Sequence, residues 1–145
     1  MLPSKNKEKI YIKCIESIKS TSESNKLKFI SKLLFESFDN WIFCGFYFQD
    51  NDKLFVSEYS ANKIPCSPIE FNGVCGTAIL KNKILNIEDV NNFQGHIVCD
   101  NDSKSELCIP FDIDGIKYVL DVDSNIYNAF CEIDEKYLVK IIKEF

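Results

Sequence analysis

Apolar residues along this chain keep two different periods. In residues 5–20, Ile10, Cys14, Ile15 and Ile18 recur at helical spacing among lysines and glutamates, which predicts an amphipathic helix. The stretch "STSESN", Ser20 to Asn25, supplies cap and turn residues. Behind it, Leu27, Ile30, Leu34 and Phe38 fall on one face of a second helix. From Trp41 the period shortens. "WIFCGFYF" is a dense aromatic run that predicts a buried strand. "QDNDK" is turn chemistry and "LFVSEYS" a returning strand, so the pair reads as a hairpin. "FNGVCG" then leads into a short helical stretch, "TAILKN", and "ILNI" is a brief strand before the loop "EDVNNFQG". "SELCIPF", "DIDG" and "IKYVLDVDS" form a second hairpin, with Pro110 near a strand end or edge. The helical period returns in residues 134–145, with Leu138, Ile141, Ile142 and Phe145 on one face. Helices, then sheet, then a closing helix predict an α+β fold with a mostly antiparallel sheet. The 145 residues suit one domain spanning 1–145.

Charge narrows the partners. The net charge is −5, and the basic residues, all lysines, are scattered among acids. Phosphate neutralisation needs clustered cations, so no nucleic-acid partner is expected. No apolar run approaches the roughly 20 residues needed to span a bilayer, so no membrane partner is expected either. The N-terminus, "MLPSKNKEKI", continues into polar residues rather than a secretory apolar core. Seven cysteines at wide spacings make an odd number, a poor basis for a disulfide scaffold. The expectation is a cytoplasmic protein whose cysteines are either small core residues or working thiols.

The segment "FQGHIVCDNDSKSE", Phe93 to Glu106, carries the single histidine and a cysteine three residues on. His96-x-x-Cys99 is half of a zinc pattern, but no C-x-x-C supplies the other half; no metal is expected. A thiolate nucleophile is the better reading, because Cys99 sits in a polar loop. Cys66, between Pro65 and Ser67, and Cys75, in "GVCG", also lie outside obvious core strands. Cys14, Cys44 and Cys108 are assigned to packing, and Cys131 to neither class. Asp121 and Asp123 are two apart in a strand and so share a face. Glu106 opens the antiparallel partner and can join them. Three clustered carboxyls cannot all ionise at neutral pH, so at least one keeps a proton. Alternation also puts Trp41, Phe43, Gly45 and Tyr47 on one face, with Gly45 leaving room above the sheet for a ligand.

Taken together, "GFY" (Gly45 to Tyr47), "GVCGTA" (Gly73 to Ala78), "EDV" (Glu88 to Val90), "GHIVCD" (Gly95 to Asp100), "SE" (Ser105, Glu106) and "LDVDS" (Leu120 to Ser124) resemble the free methionine-R-sulfoxide reductases, stand-alone GAF-domain enzymes. The resemblance implies a GAF-like central sheet of about six mostly antiparallel strands. Terminal helices would cover one face, and a ligand pocket would lie under loops on the other. It implies Cys99 as nucleophile, Cys66 and Cys75 as the other redox cysteines, and Glu106, Asp121 and Asp123 as acid and substrate-binding groups. Trp41, Phe43 and Tyr47 would wall the pocket; the family's tryptophan position is Phe43 here, with Trp41 two residues earlier. His96 would orient the Cys99 loop or serve structure alone. Free methionine sulfoxide is the implied substrate, thioredoxin the reductant, and a homodimer the implied assembly, with no cofactor. The competing reading is a GAF-type ligand-binding or redox-sensing module without turnover.

Overall fold

The helical periods become real helices because each buries one stripe. In α1 (Ser4–Ser20), Lys7, Tyr11, Cys14 and Ile18 are buried, and in α2 (Lys26–Ser37), Ile30, Ser31 and Leu34. Asn25 caps α2 by accepting a hydrogen bond from the Lys28 amide, 3.2 Å. The computed structural model describes residues 2–144, so Phe145 of the predicted closing face lies outside the described residues. Among those residues no helix is long and apolar enough to cross a membrane.

The strands are β1 (Trp41–Asp50), β2 (Lys53–Ala61), β3 (Leu85–Ile87), β4 (Ser105–Ile113) and β5 (Ile116–Ser124). Among the described residues they form one antiparallel sheet of five strands, fewer than the six expected, in the order β2-β1-β5-β4-β3. Asp114 and Gly115 turn the β4–β5 hairpin with positive φ, 50° and 82°, the backbone of a tight two-residue turn. Pro110 sits beyond the reach of β3, which pairs only with Glu106 to Cys108. It therefore lies on a free sheet edge, where its missing N–H costs nothing.

Helix α3 (Val74–Lys81) follows β2, and α4 (Glu132–Ile142) closes the chain. Helices α1, α2 and α4 pack one sheet face around Leu34, Phe46, Leu107, Leu120 and Leu138. The other face holds Phe43, Tyr47, Val119 and the apolar side of α3.

One departure from simple alternation matters for the site. Trp41 pairs with Ser124 and Phe43 with Asp123, so β1 spends two residues where β5 spends one. This bulge reverses the faces. Trp41 packs with the helices, stacked on Phe38 at 4.4 Å and near Phe130, while Phe43 faces the opposite side.

The helical layer also encloses a charge network. Lys7 Nζ donates to Asp134 Oδ2 at 2.6 Å and to the Ala129 carbonyl at 2.8 Å. Tyr11 donates to Asp134 Oδ1 at 2.6 Å, and the Cys131 amide to Oδ2 at 2.8 Å. Both charged groups are buried. Asp134→Ala strands the Lys7 ammonium without its counter-charge. The expected result is a loss of about 3–5 kcal/mol of unfolding free energy, measured as a lower urea midpoint. A midpoint within error of the parent protein would refute this role for the pair.

Candidate active site

The β4–β5 register builds the floor of the site. Glu106 stands opposite Asp123, and Cys108 opposite Asp121. Residues two apart on a strand share a face, so three carboxyls and a thiol meet on the side away from the three packed helices. Cys108 Sγ lies 3.4 Å from Asp121 Oδ1 and 3.6 Å from Glu106 Oε2.

Helix α3 supplies a second thiol. Cys75 Sγ is 3.4 Å from Cys108 Sγ and 4.0 Å from Glu106 Oε2. The helix fits there because residue 76 is glycine; a Cβ would overlap the Phe71 backbone.

The loop between η1 (Val90–Asn92) and β4 supplies the rim. Gly95 adopts φ +90°, and a Cβ there would overlap the Asn72 carbonyl, so glycine is what lets this loop press against the start of α3. His96, the next residue, places Nε2 3.5 Å from Glu106 Oε1. Further on, Cys99 is exposed and joined by a disulfide to Cys66, their Cα atoms 5.7 Å apart. The Cys66 carbonyl accepts a hydrogen bond from the Tyr47 hydroxyl at 2.9 Å. Lys63 ties the same rim through Asp100 at 3.1 Å and Asp102 at 3.7 Å.

Between floor and rim lies a cavity of ≈ 60 Å³, lined by Phe43, Tyr47, Cys75, His96, Cys99 and the three carboxyls, among others. Burial, followed by the Asp123 charge, pushes Glu106 up to about 8. Burial and neighbouring carboxylates also hold Asp121 and Asp123 well above the usual range. The Cys108 contact pulls the Cys75 thiol down, but burial and the adjacent acids outweigh it and leave it well above the ordinary value. Burial lowers His96, with Asp121 opposing. A proton-bearing acid cluster beneath a cavity with a cysteine at its rim can donate a proton to a bound acceptor. Any carboxylate that stays ionised can hold a cation. The buried Asp123 Oδ1 has no hydrogen-bond partner among the described residues.

Most of the residues singled out from the sequence therefore share one cavity. Cys66 reaches it only through its bond to Cys99, and Trp41 not at all: the bulge turns Trp41 to the helical face, so Phe43, Tyr47 and Ile42 form the aromatic and apolar wall without it. Gly45 does not leave room for a ligand, because a Cβ there would meet the Tyr59 Cβ at 2.5 Å and the Phe43 ring, stacked on Tyr59, at 2.9 Å. Cys108, assigned to packing, is fully buried in the apolar cluster of this face and in addition touches the acids of the floor. Its spacing from Glu106 and its register opposite Asp121 were the signals that pointed there.

No family model matches the sequence. The chain is 40% identical over 145 residues to GAF domain-containing protein A of Dictyostelium discoideum, covering 95% of this chain and 91% of that protein. It is 38% identical over 116 residues to the free methionine-R-sulfoxide reductase of Escherichia coli (strain K12), covering 79% and 70%. Among solved structures, the free methionine-R-sulfoxide reductase of Neisseria meningitidis in complex with its substrate superposes with a TM-score of 0.81 at 30% identity, covering 92% of this chain and 82% of that one. The architecture is that of GAF domains. With relatives of that name matched across more than two thirds of their length, and with the acid floor and cysteine rim in place, this chain belongs to the free methionine-R-sulfoxide reductase family.

Proposed function

We propose that this chain reduces free methionine-(R)-sulfoxide to methionine, with Cys99 as nucleophile, Cys66 as resolving thiol and the buried carboxyls as acid and ammonium-binding groups. The observation that carries the proposal is the shared cavity: three carboxyls at its floor, Glu106 and Asp121 buried and Asp123 half-buried, and, at its rim, Cys99 bonded to Cys66. In the first half-reaction the Cys99 thiolate attacks the sulfoxide sulfur, and a protonated carboxyl, Glu106 foremost, gives its proton to the oxygen. The substrate sulfur gains two electrons and leaves as methionine. Cys99 loses two and carries the oxygen as a sulfenic acid. The Cys66 thiol then attacks Cys99, water departs, and the disulfide forms. A dithiol of the thioredoxin class returns two electrons by thiol exchange and frees both cysteines.

Selection for the free amino acid follows from the floor. Asp121 and Asp123 would accept hydrogen bonds from the substrate's α-ammonium, giving the unpartnered Asp123 Oδ1 its donor. A methionine sulfoxide inside a peptide lacks that charge and would leave buried acids unpaired, a penalty that can reach roughly 10⁴-fold. The Cys66–Cys99 bond favours Cys66 over Cys75 as the resolving thiol, since the Cys75 sulfur instead contacts Cys108.

The test measures methionine release with thioredoxin as reductant from three substrates: free R-sulfoxide, free S-sulfoxide and a sulfoxidised peptide. Turnover of the free R form alone is the expected result. No release from any of the three, with the protein folded and its thiols reduced, would overturn the proposal.

A further inference from the structure

The proposed cycle leaves Cys108 without a task, and Cys75 as well once Cys66 resolves. These two thiols nevertheless lie side by side against two carboxyls at the cavity floor. We infer that Cys75, Glu106, Cys108 and Asp121 form a binding site for a zinc ion. One ligand atom from each residue, two sulfurs and two oxygens, falls within 4.8 Å of the other three, and all four residues are buried.

The individual separations fit that ion. Zinc bound tetrahedrally at its usual bond lengths sets sulfur–sulfur edges of about 3.8 Å and sulfur–oxygen edges of about 3.5 Å. Here the two sulfurs are 3.4 Å apart, and the sulfur–oxygen separations are 3.4, 3.6 and 4.0 Å. The remaining two edges, from Asp121 to Cys75 and to Glu106, lie within 4.8 Å, and drawing the four atoms inward would seat the ion.

The fold fixes this set in advance. Glu106 and Cys108 share a face of β4, Asp121 is the register partner of Cys108, and Cys75 lies in the first turn of α3. One hairpin and a helix distant from it in sequence thus converge before any ion arrives. His96 Nε2, 3.5 Å from Glu106 Oε1, stands where an outer partner holds a ligating carboxylate in place. Cys75, Glu106 and Asp121 open onto the cavity, which gives the ion a path. Two thiolates with two carboxylates select a borderline-soft cation over magnesium or calcium, which take oxygen donors alone. Resting on the function proposed above, a bound zinc ion occupies Glu106 and Asp121, so zinc and methionine sulfoxide exclude one another.

The test uses the full chain carrying Cys66→Ser and Cys99→Ser, kept reduced without oxygen, so that the rim thiols cannot ligate. Titration with cobalt(II) should give a thiolate-to-cobalt charge-transfer band that saturates at one equivalent. Zinc should bleach the band and magnesium should leave it. Adding Cys108→Ser, or separately Cys75→Ser, should weaken zinc binding by about 100-fold or more, beyond what losing an outer-shell partner costs. No band at one equivalent, or a band unchanged by both serine substitutions, would overturn the site. This variant lacks both redox cysteines, so its metal binding is independent of turnover. Failure of the enzyme reading would show elsewhere, as no methionine release from the unaltered chain in the presence of chelator.

Discussion

Cys99→Ser is expected to lower methionine release from free R-sulfoxide by about 10⁴-fold or more, the scale seen when an enzyme loses its nucleophile. A serine hydroxyl stays protonated at neutral pH and does not take up the sulfoxide oxygen. The acid floor and the Phe43–Tyr47 wall are untouched by the change, so substrate binding should survive, visible as a shift in melting temperature on adding methionine sulfoxide. Cys66→Ser provides the contrast: a first half-reaction that releases one equivalent of methionine and then stalls. If Cys99→Ser turns over at more than a hundredth of the parent rate, the nucleophile is another cysteine.

Glu106→Gln should cost about 10²–10⁴-fold in turnover, the usual contribution of a general acid, and it should change the pH profile. Glu106 is held up to about 8 by burial first and the Asp123 charge second. The groups that face it are Asp121 and Asp123 from β5, Cys108 from its own strand, Cys75 from α3 and His96 from the rim. Below pH 8 the proton needed by the sulfoxide oxygen is in place, and above it the proton is lost. Turnover should fall through an alkaline limb near pH 8 that Glu106→Gln lacks. Stability should follow the same direction. The folded state binds a proton that the unfolded chain releases near 4.5, so unfolding free energy declines as pH rises from there towards 8. A melting temperature that instead climbs across this range, with chelator present, would rule out a protonated Glu106.

The two hairpins, the helical faces and the three carboxyls were legible because each leaves a periodic or paired mark in the sequence. Asp121 and Asp123 sit at strand spacing, and the Asp-Gly turn fixes the register that brings Glu106 to them. The bulge at Ile42 left no such mark. Trp41 to Tyr47 are all buried, so no polar residue shows where the alternation slips. Cys108 was hidden for a related reason: a thiol in an apolar strand reads like any small hydrophobe. The pairing of Cys66 with Cys99 and of Lys7 with Asp134 spans 33 and 127 residues, distances over which local pattern carries no information. Only the assembled sheet and helices decide which of several cysteines, or of many lysines, ends up beside which partner.

The bond between Cys66 and Cys99 has one more effect, on the chain as a polymer. It closes a ring that holds both α3 and β3. A ring of this size removes about 3–4 kcal/mol of freedom from the unfolded chain. The proposed cycle, which makes and breaks this bond at every turn, would alternate between a cyclised chain and a linear one. The loosest form would then be the one that has just met its reductant and awaits a substrate, which is also the form whose rim must admit it.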